Sequence, residues 1–595
     1  MGRRDTLAPP LSAPQSTLLS YEEQVSLNRT PADWLAVLPG VSLNGQGGLL
    51  QTYSVRGFSR TRIRTELAGV PIFTDRRAGT SVSFVPPELM REVRVDRGAA
   101  SALYGSGAMG GVVSLSPQFI DGQRFVVDAR NNDEQIAATL LTGDGEHIGA
   151  GLSVRRAGEA EAPSGDTLNT SYEQVAGLLE LQGESDLRRW TLTWMPSIGR
   201  DIGRSNALYP ERRISTTPED DHSVTRVEVR EGDRWLVRAY HHYQDWSSDV
   251  TRVGQRRNLT EYRAHTVGSL LHASTEAFGG RGSWGLEWVG RHGVEIDDEE
   301  YADDGTLLIA QTLVDGGEDT FGAFFDQAWT FGATELRGGL RGDYQRQHAR
   351  GRSIEDTHGS ASMRIDHTLT DAWTLGAELA TGYRFPSLSE RYFSGTTPRG
   401  EVIGNPSLVP EIRTSAEVSA IFNPAALPLS LEAAAYHSDL DDYIERFAIS
   451  PGVIGYRNLA SAGVDGVEIS ARLRLGAWNH RLTYQWQEGE DAQNRTLADL
   501  NPPEWRYMLN WVRGPYAISS DLVYRPERNE AGPGELPLTA ATLVNFRAGW
   551  AVGATWRAEL YATNVLDEDF QASADDLAPL QPGRTIGLRL SWEAD

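Results

Sequence analysis

Cysteine is missing altogether from the 595 residues. That removes disulfides, thiolate metal centres and cysteine nucleophiles together. Basic charge is scarce: 56 Lys and Arg stand against 81 Asp and Glu, a formal charge of -25. No basic face remains for a nucleic-acid partner. No run of about 18 apolar residues occurs, so no transmembrane helix is encoded. A β-barrel stays open, because a barrel hides its apolar content in alternation. The first residues, MGRRDTLAPPLSAP, carry arginines but no apolar core. They do not read as a signal peptide. No Ser/His/Asp arrangement and no H-E-x-x-H motif appears. The sequence therefore points away from an enzyme and implies no cofactor.

What is present is organised around residues 91–116, REVRVDRGAASALYGSGAMGGVVSLS. Gly105, Gly107 and Gly110 match the G-x-G-x-x-G spacing of a dinucleotide site. That mechanism needs a strand before the glycines and a helix after them. Here the order is inverted, with a helix-like piece at Ala99–Leu103 first and a β-type run at Val112–Leu115 after. The glycines read instead as a compact turn with close backbone approach.

Composition divides the chain into three. Residues 1–20 are rich in Pro, Ser and Leu and read as a flexible arm. Residues 21–120 have an α/β texture. Thr30 is a candidate cap with Pro31 at the first position of a helix running through Trp34 to Leu38, stopped by Pro39 and Gly40. Short β-type runs follow at 51–55, 63–67, 92–95 and 112–115.

From 121 to 595 apolar and polar residues alternate, segment after segment. Ile586, Leu588, Leu590 and Trp592 face one way, and Thr585, Gly587, Arg589 and Ser591 the other. Val467, Ile469, Ala471 and Leu473 likewise oppose Glu468, Ser470, Arg472 and Arg474. Arginine on the second face requires water or a polar lumen. Links between the last strands alternate long and short, as expected of extracellular loops and periplasmic turns. Trp478, Trp486, Trp505, Trp511, Trp550, Trp556 and Trp592 lie in or near strand ends, where interfacial girdles sit. At roughly 21 residues per strand and connection, this region yields about 22 antiparallel strands. A lumen of that width needs a filler, and the α/β domain upstream is the candidate plug.

Three blocks carry a family resemblance. The first comprises LPGV (38–41), VRGF (55–58), LAGVPI (67–72) and the 91–116 stretch. The second is GYRFPSLSERYFSG (382–395) with GNPSLVPE (404–411). The third is NVLDEDF (564–570) with PGRTIGLRLSW (582–592). From about residue 21 onward the chain resembles the TonB-dependent outer-membrane receptors. Ala68 stands where the family more often has aspartate, and the chain continues past Trp592, where the family usually ends on an aromatic. The resemblance implies a multi-pass barrel in a Gram-negative outer membrane. It also implies active uptake of a scarce nutrient, with the periplasmic TonB protein pulling an N-terminal box. Asp5, Thr6 and Leu7 are the nearest candidates for that contact.

The family's commonest cargo, a metal chelate on an organic carrier, makes a ferric siderophore the leading expectation. Cobalamin, haem, another metal chelate or a glycan are the alternatives, and a passive porin or adhesin is a rival class. Haem receptors of the family resemble the second block but place a histidine between its two halves. No histidine lies between His367 and His437 here, so the resemblance disfavours haem, and adjacent His241 and His242 point to opposite faces of a strand. By the family pattern the plug loops 44–51 and 73–80 contact ligand, giving Asn44, Gln46, Phe73, Asp75, Arg76 and Arg77. Paired arginines suit an anionic chelate. Arg60, Arg62 and Arg64 stand near the plug surface, with plug-to-wall salt bridges as the alternative role. The loop after Pro386 adds Arg391, Tyr392, Phe393 and Arg399, a cationic and aromatic mix. The acidic run Asp297, Asp298, Glu299, Glu300, Asp303 and Asp304 is a candidate calcium site through oxygen ligands.

Overall fold

The alternating pattern after residue 121 closes on itself. A computed structural model describes residues 16–20, 30–43, 48–75, 82–185, 187–397 and 400–594. Within it, 22 antiparallel strands form a closed barrel, sealed where Thr585–Ala594 pairs with Asp121–Arg130. Alternation fixes which side chains meet lipid. Ile586, Leu588 and Leu590 are exposed outward, while Thr585 and Gly587 are buried inward. Arg589 faces the lumen and reaches Glu88 at 3.0 Å.

Register assembles the aromatic girdle from separate strands. Trp478 sits opposite Trp511, Tyr516 opposite Trp550, and Trp556 opposite Trp592. All six lie beside the short turns at one rim, at the level expected of a membrane interface.

The long-and-short rhythm of links holds from 476 onward. Upstream it changes form. Strands there run up to 25 residues, as in Leu307–Phe331, against the roughly 9–11 a bilayer needs. At 350–351 and 451–452 the outer ends close in tight turns, so extended sheet replaces loop. A hairpin of Ser394–Thr397 and Gly400–Ile403 branches from the wall, because Trp373–Arg384 pairs directly with Glu411–Phe422.

Inside lies the plug. Its main sheet runs in the order Ser16–Ser20, Met90–Arg97, Gly111–Pro117, Ile63–Leu67, Val70–Pro71. Residues 16–20 are therefore an edge strand of the plug, a correction to the arm drawn at 1–20. All five residues pair antiparallel with 92–96, which Pro-rich composition alone concealed. The first helix, Pro31–Leu35, is also shorter than expected. Asp33 accepts from the Thr30 backbone at 2.8 Å to start it, and the chain leaves helical geometry after Ala36. Trp34, Leu35, Val93, Val95 and Val113 build the plug core, which merges with wall residues such as Leu141, Leu178 and Met195.

Candidate functional site

The glycine-rich stretch at 105–111 brings the plug backbone against the wall. Ser101–Tyr104 forms the short helix and Gly111–Pro117 the strand that follows. Between them, the Gly107 amide donates to the Tyr383 carbonyl at 3.0 Å, and the Phe385 amide donates to Ser106 Oγ at 3.0 Å. A Cβ on Gly110 would stand 2.3 Å from Phe58 Cβ. Gly107 thus serves backbone contact with the wall and Gly110 close packing within the plug, in keeping with a compact turn.

Buried ion pairs hold the same boundary. The sequence contains no lysine, so every basic side chain is an arginine fork suited to bidentate pairing. Arg56, 1% exposed, donates to Glu468 at 2.7 and 3.1 Å and to Glu417 at 2.6 Å, and lies 4.3 Å above the Tyr436 ring. Arg97 shares Glu468 at 2.7 Å. Burial disfavours the Arg56 charge, but Glu468 and Glu417 more than offset it and hold its pKa well above the ordinary value. Arg62 pairs with Glu411 at 2.6 and 2.9 Å, and Arg64 with Glu66 and Glu287. For Arg62 and Arg64 the wall-bridge role holds. Arg60 is different: it is one-third exposed, 3.5 Å from Asp499, and lines the outer cavity.

That cavity, about 320 Å³, opens above the plug beneath the long loops. Phe393, Tyr443 and Tyr456 supply its aromatic surface. Five arginines but eight carboxylates line it, and no histidine does among the described residues. Among the described residues, carboxylates therefore outnumber arginines there.

The loop residues enter it through one small helix. Ser387 caps Leu388–Tyr392 by accepting from the Glu390 amide at 3.2 Å, and Glu390 accepts in return from the Ser387 amide at 2.8 Å. The spacing S-L-S-E encodes this capping box. Burial alone would raise the Glu390 pKa, but Arg384, at 2.7 and 2.8 Å, together with that amide holds it down to about 2.

Of the expected ligand contacts, Asp75 and Phe393 line the cavity. Asp75 also ties plug, wall and loop together, accepting from Arg291 at 2.5 Å, Ser389 at 3.0 Å and Tyr262 at 3.2 Å. Phe73 lies under the Arg291 guanidinium at 5.5 Å, deeper than the cavity floor. Arg391 and Tyr392 are corrections. Arg391, 1% exposed, is taken up by Asp356 at 2.6 Å, Gln347 at 2.8 Å and the Leu408 carbonyl at 2.7 Å. Tyr392 is buried in the core cluster beneath the loop. Helical period turns both inward, which residue type could not reveal. Asn44, Gln46, Arg76, Arg77, Arg399, Asp5, Thr6 and Leu7 lie outside the described residues.

The acidic run at 297–304 is not one cluster. It forms part of a strand, so Asp298 and Glu300 turn inward to Thr260 and Arg256 while Asp297 and Glu299 turn out. His242 likewise faces the lumen and meets His222 at 3.1 Å, whereas His241 faces out to His265.

Sequence reasoning missed Arg56, Arg97, Arg291, Glu411, Glu417 and Glu468 as a clasp. The signal was available in part: both plug arginines sit inside family blocks, and Glu468 falls on the lumen-facing side of its alternation.

Comparison with known proteins agrees with this architecture. A family model described as TonB dependent receptor-like, beta-barrel matches residues 163–565, and the TonB-dependent Receptor Plug Domain matches 12–112. The vitamin B12 transporter of Vibrio vulnificus strain YJ016 is 22% identical over 94% of this chain and 88% of its own. Among solved structures, a copper transporter superposes with a TM-score of 0.85 at 18% identity, covering 98% of both chains. The ferric yersiniabactin uptake receptor of Yersinia pestis gives 0.78 at 16% identity, again over 98% of both.

Proposed function

The chain belongs to the TonB-dependent receptor family and is an outer-membrane nutrient transporter, and from that premise we propose that its cargo is a metal chelate without net negative charge. A ferric siderophore of the hydroxamate type fits first. The observation that carries this reading is the lining of the outer cavity, where the described residues supply eight carboxylates against five arginines and an aromatic wall of Phe393, Tyr443 and Tyr456. Surplus carboxylates in a partly desolvated site repel a polyanion and favour a neutral or cationic complex. Arg391, one of the arginines expected to grip an anion, is instead taken up by the loop's own core.

A corrinoid is the second reading, favoured by the 22% identity to a vitamin B12 transporter. Haem fits less well, since no described histidine lines the cavity.

In this reading the chain performs no covalent chemistry. Ligand settles on Asp75, Arg60 and Phe393, and outer-membrane lipid holds the barrel while the plug moves. The TonB periplasmic domain pulls on the arm ahead of Ser16, with Asp5, Thr6 and Leu7 as its contact. Strand 16–20 is the edge of the plug sheet, so force on the arm acts first on its pairing with 92–96.

Tryptophan-fluorescence titration of the purified protein tests the cargo. A cationic ferric hydroxamate or neutral cyanocobalamin is expected to bind at least a hundredfold more tightly than a trianionic ferric catecholate. Tightest binding of the trianion would refute the charge argument. Uptake that survives loss of TonB would refute the transport mechanism.

A further inference from the structure

A second cavity, about 550 Å³, lies on the opposite side of the plug beside the short turns and the edge strand Ser16–Ser20. Its charge is reversed: seven arginines and five glutamates line it. The local sequence explains why. In R-V-E-V-R at 226–230, Val227 turns out toward lipid, and Arg226, Glu228 and Arg230 turn in. Register then places Arg238 of the next strand directly opposite Glu228.

Three guanidiniums therefore surround one carboxylate. Glu228 stands 2.8 Å from Arg238, 3.1 Å from Arg230 and 3.7 Å from Arg226. Arg226 also donates to Thr193 of the neighbouring strand at 3.0 Å, and two further donors clasp the plug. Arg226 donates to the Ala68 carbonyl and Arg238 to the Gly69 carbonyl, each at 3.1 Å, and the buried Nε of Arg226 has no hydrogen-bond partner. Carbonyls are weak partners for guanidinium compared with an oxyanion, whose charge makes each hydrogen bond stronger.

We propose that this periplasm-facing cavity is a binding site for a small oxyanion of the phosphate class, and that its occupation competes with the plug turn at Ala68–Gly69 for Arg226 and Arg238. An anion entering from the periplasm fills the missing negative charge and takes over donors that now hold the turn. Binding and plug release are then linked, each favouring the other.

Inorganic phosphate is titrated calorimetrically into the purified full chain in detergent at low salt. Ala68→Asp is the discriminating variant. Ala68 has φ +53°, a region aspartate occupies more readily than alanine, so the fold is kept while a carboxylate of the chain's own enters the cluster. Wild type is expected to bind phosphate, and Ala68→Asp and Arg230→Gln to bind it at least tenfold more weakly. Hydrogen exchange across residues 63–72 is expected to quicken with phosphate in wild type and to stay unchanged in Ala68→Asp. Equal affinity in wild type and Ala68→Asp, or no phosphate-dependent change in exchange, overturns the proposal. A short-chain phosphatidic acid separates a free anion from a lipid headgroup: the lumenal position predicts at least tenfold preference for inorganic phosphate, and the reverse preference overturns the assignment.

Discussion

Replacing Arg56 by methionine keeps most of the side chain's bulk and removes its charge. In the structure this deletes hydrogen bonds of 2.6, 2.7 and 3.1 Å to Glu417 and Glu468. The two carboxylates stay buried. Glu468 keeps Arg97 at 2.7 Å, but Glu417 keeps only Arg364 at 3.7 Å. Removing one partner of a buried ion pair costs about 3–5 kcal/mol, chiefly because the other charge is left uncompensated. Arg97 offsets part of that, so the lower end, about 3 kcal/mol, is expected for plug docking. At 1.4 kcal/mol per factor of ten this is roughly a hundredfold. Hydrogen exchange read by mass spectrometry on peptides covering 53–59 and 90–97 measures it, since these strands are protected only while the plug is seated. Protection should fall roughly a hundredfold in Arg56→Met and recover in part in Arg56→Met/Glu417→Gln, where the stranded charge is gone. Protection within tenfold of wild type would show that the clasp contributes little to seating the plug.

Three further outcomes are expected. Gly110→Val places its Cβ 2.3 Å from Phe58 Cβ and 3.1 Å from the Val55 carbonyl, so surface assembly should drop while the assembled fraction keeps its ligand affinity. Normal assembly with lost binding would contradict this. The depressed Glu390 pKa stabilises the 385–410 loop above the unfolded carboxylate value, and that stability is lost as pH falls through the folded one. Protease cleavage of the loop should therefore stay flat down to about pH 4.3 and climb between there and about pH 2, with Glu390→Gln showing no such step. Arg391→Gln breaks contacts of 2.6 and 2.7 Å to Asp356 and the Leu408 carbonyl, so loop proteolysis at neutral pH should rise severalfold. An unchanged cleavage rate would return Arg391 to the list of candidate ligand contacts.

The alternation along 585–592 and its repeats determined the barrel by itself. Period two with arginine on one face gives a sheet with one polar side, the long-and-short links and terminal aromatics make that side a lumen, and chain length then sets about 22 strands. The plug blocks likewise revealed their domain through their resemblance to the family's plug. Local chemistry also settled the Ser387–Glu390 capping box. Tertiary structure decided the rest, since it depends on which residues meet across hundreds of positions. Arg56 finds Glu468 only because the plug sits in the lumen, and Arg391 is buried only because a helix turns it toward Asp356. The opposed charge of the two cavities has the same origin. Arginine and carboxylate counts in the chain say nothing about it until barrel register places Arg238 beside Glu228 and loop packing gathers the carboxylates above the plug.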